Sequence, residues 1–184
     1  MKTNADKKKI LLIALAKWAE CELFCIITFI FYAVVEGAMG KGAHILFALV
    51  CFLLVFCLMA DFGLKTGYSA HKGVEAGTLS KCRNFGALMG LAATLPTYIC
   101  FIFLALSANG VIGNFYPAYK IINSMFAPAV NIFASTAQAA ELSTGQLIAI
   151  GAIPLYIPVA CWFAFRLGYD DTDLAKKFVY KSKK

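Results

Sequence analysis

Asp61-Phe62-Gly63-Leu64-Lys65-Thr66-Gly67-Tyr68-Ser69-Ala70-His71-Lys72-Gly73-Val74-Glu75-Ala76-Gly77-Thr78-Leu79-Ser80-Lys81-Cys82-Arg83-Asn84 is the one long polar break in the first hundred residues, and apolar runs flank it on both sides. It sets Lys65, Lys72, Lys81 and Arg83 against Asp61 and Glu75. Basic connections between membrane spans stay on the cytoplasmic side. Read as a loop over 61–84, this stretch therefore decides which way up every neighbouring segment sits.

Composition supports a bilayer setting. Of 184 residues, 61% are hydrophobic and 15% charged, against roughly 45–50% and 25% in soluble domains. A soluble fold of this length has no interior large enough for that excess. The net charge of +7 is carried by residues clustered just outside apolar runs, which points to anionic lipid headgroups as the partner and not to nucleic acid. Of the seven cysteines, six fall inside proposed spans and Cys82 lies in the basic loop, so no disulfide is expected. Cys21 and Cys25 share a helix face, but two thiols make a poor metal site and read as small packing groups. No cofactor or metal is expected.

The expected fold class is an all-α integral membrane protein of four transmembrane helices, forming a single polytopic domain over 1–184. Lys2, Lys7, Lys8 and Lys9 precede the apolar residues 10–16. That run is too short for a signal core, and hydrophobic sequence resumes at Leu23, so the segment is read as uncleaved. The spans are placed at about 17–35, 44–60, 85–106 and 147–165, with Glu36 to Gly42 as a tight outer turn. Because a crossing helix needs about 20 residues, Lys17, Trp18, Glu20 and Glu22 are placed at or just below the cytoplasmic headgroups.

Between the third and fourth spans, 107–146 opens with turn residues and then shows a helical period broken at Pro128. Ile122, Phe126, Val130 and Phe133 fall near one face; Lys120, Asn123, Asn131, Ser135 and Gln138 fall mostly on the other. Three readings stand: an amphipathic segment on the outer surface, a re-entrant hairpin turning at Pro128, or a further span. The last would put the basic carboxyl tail, 166–184, outside. Fourteen basic residues fall in the two tails and the 61–84 loop, and only Lys41 and Lys120 in the outer connections. An even number of spans, with both termini cytoplasmic in a plasma membrane, satisfies that bias.

Candidate sites follow from residue type and spacing. Gly86, Gly90, Thr94 and Thr97 form a small-residue stripe suited to a helix–helix seam, within the chain or with a partner. Pro96, Pro154 and Pro158 are candidate kinks. Lys17, Glu20, Glu22 and Asp61 are the candidate intramembrane polar cluster, since ionisable groups in a membrane are costly and default to a functional reading. The plainer reading pairs Lys17 with Glu20, and Asp61 with Lys65, on their own helices. His44 is read as an interfacial histidine. No catalytic motif is present, so the chain is not expected to be an enzyme. The expected function is a non-enzymatic subunit or accessory component of a membrane complex, with a protein partner or a second copy of the chain. The alternative is a small transporter or channel using the Pro154/Pro158-kinked helix and Glu20/Glu22.

Overall fold

The computed structural model describes residues 4–170; the expected tail beyond Asp170 lies outside the described residues. Every described element is helical. Two long helices, α1 (Asn4–Met39) and α2 (Lys41–Glu75), are followed by α3 (Phe85–Ala108), the short α4 (Tyr116–Ile122) and α5 (Ala127–Phe133), then α6 (Thr144–Ala152) and α7 (Tyr156–Tyr169). Among the described residues, three segments are long and apolar enough to cross a membrane: Lys41–Glu75, Phe85–Ala108 and Thr144–Tyr169. Their outward side chains include Leu49, Leu53, Leu95, Ile102, Val159 and Phe163, all exposed. Such a surface is compatible with lipid.

The α1–α2 connection is one residue. Gly40 takes φ 53°, the left-handed region that favours glycine, and turns the chain back so that α1 and α2 run antiparallel. The expected turn at Glu36 to Gly42 is thus absorbed into the two helices.

The expected loop over 61–84 is corrected: α2 continues to Glu75, and only 76–84 is non-helical. Asp61 and Lys65 pair at 2.8 Å, and His71 lies 3.3 Å from Glu75, each one turn apart, so polar residues here support a helix. The stop is glycine chemistry. Gly77 at φ 65° sends its N–H to Val74, and Thr78 sends its own to Gly73, the paired bonds of a Schellman cap.

The last rod is α6 and α7 joined by a 3-10 turn, Ile153–Leu155. Pro154 lies in that turn, while Pro158 lies in the first turn of α7, so the interruption belongs to Pro154. Pro96 leaves α3 unbroken. α7 packs against both α2 and α3 through small residues. A methyl group on Gly67 would overlap the Phe165 carbonyl, and one on Gly168 the Leu64 carbonyl. On Gly86 it would overlap the Phe165 side chain, and on Gly90 the backbone of Pro158. Close backbone approach is what replaces hydrophobic driving force between helices in lipid.

Residues 107–146 fold as a hairpin. Its mouth is tied by Tyr116 Oη donating to the Ala134 carbonyl at 2.6 Å, and by Asn114, whose amide donates to Ala137 O while its oxygen accepts from Ala139 N–H, both at 2.9 Å. Its tip is the break at 123–126, which ends two residues before the Pro128 turn expected from sequence; Pro128 itself opens α5. Asn123 through Val130 are all buried, against α1, α2 and α3, while Ile121, Ile122, Ile132 and Phe133 stay exposed. Seven residues in each of α4 and α5 give about 10 Å apiece, too short to cross a bilayer.

Charge sorts to the two ends of the bundle. Lys7, Lys81, Arg83 and Asn84 line one hollow, and Arg83 Nη2 donates to Asp170 Oδ2 at 2.7 Å. Glu36, Lys41, His44 and Gln146 line a cavity at the opposite end.

Candidate functional site

Glu22 sits midway along α1, 13 residues after Lys9 and 14 before Glu36, or about 20 Å from each. Its side chain faces the hairpin tip and is 6% exposed. Ser124 Oγ donates to Glu22 Oε2 at 2.7 Å, and Met125 N–H reaches the same oxygen at 3.3 Å. Glu22 makes no ion pair among the described residues, and its Oε1 is buried with no hydrogen-bond partner among them. An ionised carboxylate left so costs several kcal/mol, and a protonated one still presents a hydroxyl or carbonyl oxygen that needs a partner.

The same tip gathers further buried oxygens. Asn123 commits its amide nitrogen to the Tyr119 carbonyl at 3.1 Å, which leaves Oδ1 unpartnered. Tyr119 Oη is also unpartnered among the described residues. Tyr119 is 1% and Asn123 0% exposed. Cys100 of α3 lies against the Asn123 side chain. The helical break places these groups together: at 123–126 the chain leaves α4 before α5 begins, so the Ser124 hydroxyl and Met125 N–H can turn toward α1.

A second polar cluster lies toward the end of the bundle that holds Glu36 and Lys41. Tyr32 Oη bonds His44 Nδ1 at 2.8 Å and accepts from Asn131 Nδ2, and Glu36 lies 3.8 Å from His44 Nε2. His44 and Asn131 border a cavity of about 440 Å³, shared with Glu36, Lys41, Thr136 and Gln146. His44 is buried; the one-residue hinge at Gly40 brings α1 over it. Between the two clusters lie Ala127, Pro128, Ala129 and Val130, all buried.

The residues of the candidate polar cluster make different bonds. Lys17 pairs with Glu20 on α1, Asp61 pairs with Lys65 in the open, and Glu22 stands apart from both, on the hairpin. In the glycine stripe, Gly86 and Gly90 are covered by α7 within the same chain and are closed to a partner. Thr94 bonds back to Gly90 O and Leu91 O of its own helix. Thr97 accepts from Trp18 Nε1 at 3.0 Å. That contact places Trp18 beside a residue 12 positions beyond Phe85, well along α3 and not at its start. Near Pro154, Tyr98 Oη reaches Gly151 O at 3.4 Å and Tyr156 Oη donates to Phe52 O at 2.7 Å, so the interrupted rod is tied to α3 and α2. No group of three or more His, Cys, Asp or Glu side chains suited to a metal occurs among the described residues.

Sequence reasoning missed Ser124, Tyr119, Tyr32 and Asn131 as site residues. Ser124 lies 102 positions from Glu22, and no local pattern reports such a pairing. Compared with known protein families, characterised proteins and solved structures, the chain finds no match.

Proposed function

We propose that this chain is a non-enzymatic, four-span protein of the plasma membrane that moves a small polar or charged species, with Glu22 as its intramembrane charge. α1 is the fourth span: 36 residues extend about 54 Å, more than the roughly 30 Å hydrocarbon core. Lys7, Arg83 and Asp170 share one end of the bundle, which supports placing both termini on the cytoplasmic side beside anionic headgroups. On that axis Glu22 lies near the bilayer centre, deeper than the headgroup level expected from sequence, and 107–146 enters from the outer side as a re-entrant hairpin. The observation that carries the reading is the Glu22 carboxyl held by a break between two short helices. Transporters place their sites at such breaks, near the midplane. The outer cavity at Glu36 and His44 is the entry.

The test is charge movement. The purified chain in proteoliposomes on a solid support is given concentration jumps of protons, sodium, potassium and a small amine. A transient current in the parent chain that is lost in Glu22→Gln and kept in Glu20→Gln is expected. No current with any of the four ends the reading.

A second reading, an accessory subunit, is favoured by one observation. The Lys17–Glu20 side chains are 27% and 37% exposed at a depth where lipid offers no polar group. A partner helix covering α1 there would relieve that cost. A stoichiometric protein that co-purifies in mild detergent and is lost in a Lys17→Leu/Glu20→Leu double variant supports it; a chain that runs alone argues against it.

A further inference from the structure

We propose that the cavity lined by Glu36, Lys41 and His44 binds a small zwitterion, an α-amino acid with an apolar side chain. The cavity holds about 440 Å³, a size usual for small-molecule sites. It carries one charge of each sign, and neither neutralises the other. Lys41 pairs with no acid among the described residues, and Glu36 has only His44 Nε2, at 3.8 Å. Lys120 does not line the cavity; its ammonium is turned to the Thr136 carbonyl and the Tyr116 ring. A cation entering alone meets Lys41, and an anion entering alone meets Glu36. A ligand with both charges answers both.

The helices separate the two roles. Lys41 and His44 are three apart on α2 and so share a face; Glu36 stands across the Gly40 hinge, on α1. His44 is 7% exposed. The Tyr32 hydroxyl holds its Nδ1 at 2.8 Å, and Asn131 Nδ2 donates to that hydroxyl in turn, so the ring is fixed with Nε2 toward Glu36 and the cavity. With Tyr32 donating to Nδ1, the ring proton stands on Nε2. α2 then offers two donors to a ligand carboxylate, and α1 offers an acceptor to its ammonium. Ile45, Ile132 and Phe133 line the same cavity and are half-exposed, a wall on which an apolar side chain can lie. In the transport reading this cavity is the entry, so the ligand is what enters; that consequence rests on the transport reading, and binding does not.

The full chain in detergent is captured on scintillation beads and titrated with radiolabelled leucine, valine or phenylalanine. Saturable binding is expected with at least one. The amino acid that binds is then competed with its decarboxylated and its deaminated analogues, for leucine isoamylamine and isocaproate. Each analogue loses one charge-assisted contact and should compete roughly tenfold more weakly than the amino acid itself. Glu36→Gln should remove the preference over the deaminated analogue, and Lys41→Gln the preference over the decarboxylated one. Both side chains reach the surface, so both variants should fold, and a merely structural fault would weaken all three ligands together. No saturable binding of any of the three amino acids overturns the site. An analogue that competes as well as the amino acid overturns the zwitterion, as do preferences that survive in both variants. Amino-acid binding without current in proteoliposomes sinks the transport reading and leaves the site; current without amino-acid binding does the reverse.

Discussion

Two sides of this bundle are held together by opposite means. Where α7 meets α2 and α3, the contacts are mostly backbone against backbone: Gly63, Gly67, Gly90 and Gly168 each leave room for a neighbour's carbonyl or Cα and for nothing larger, and Gly86 for the Phe165 side chain. Where the hairpin meets α1, the contacts are polar side chains: Glu22 on Ser124, and Tyr32 on Asn131. The first side has no adjustable part, because a helix backbone already bonded to itself cannot give. The second leaves buried oxygens over. A seam of the first kind holds a scaffold; an arrangement of the second kind has capacity to do something else.

The contrast breaks most visibly at the glycines. Gly67→Leu, or Gly168→Leu, drives a side chain into a carbonyl of the facing helix, and the loss should exceed the ~1–3 kcal/mol usual for overpacking. The expected outcome is no monodisperse peak in detergent gel filtration. Gly113→Ala and Gly145→Ala, where an added methyl meets nothing within 4 Å, should elute as the parent does. A well-behaved Gly67→Leu protein would mean that α7 is not seated on α2.

The polar side should respond less. Ser124→Ala leaves Glu22 Oε2 with only the Met125 N–H at 3.3 Å, and should lower stability by about 1–2 kcal/mol, or Tm by about 3–6 °C. Below that comes the Trp18–Thr97 bond. A thermal-unfolding double-mutant cycle of Trp18→Phe and Thr97→Val should return a coupling near the ~0.6 kcal/mol typical of interhelical hydrogen bonds in membranes. A coupling of zero would detach α1 from the middle of α3, and with it the depth assigned to Glu22.

The difference between the sides also governs what the residues disclosed in advance. Apolar runs announce themselves, so α2, α3 and the 144–169 rod lie where hydrophobicity put them. Gly86 and Gly90 were visible as a seam because they sit inside an apolar run. Gly63 and Gly67 have the same spacing and face the same helix, yet were hidden, because Lys65 and Asp61 made the region read as a loop. The signal to correct this was present: Asp61 with Lys65, and His71 with Glu75, are spaced for one helix face. The hairpin tip gave no comparable signal. Its chemistry depends on a 102-residue separation and on a break that is already over two residues before Pro128. Lys17, Glu20 and Glu22 looked like one group because they are neighbours in sequence, and helical geometry then sent Glu22 toward the hairpin and left the other two to pair.

The smallest expected effect is the sharpest check on that separation of Glu22 from the other charges. Asp61 and Lys65 bond at 2.8 Å, but their side chains are 55% and 74% exposed, and pairs of this kind are worth ~0.3–0.5 kcal/mol. Asp61→Asn should therefore leave Tm within about 1–2 °C of the parent, with proteoliposome current unchanged. Asp61 lies on α2 across from α1, so any route by which it completes a charged site must bring it into the same compartment as Glu22. If Asp61→Asn abolished current while Lys65→Ala did not, the carboxylate and not its ion pair would be the working part. The intramembrane charge would then be shared between α1 and α2, and the hairpin tip would hold only half of it.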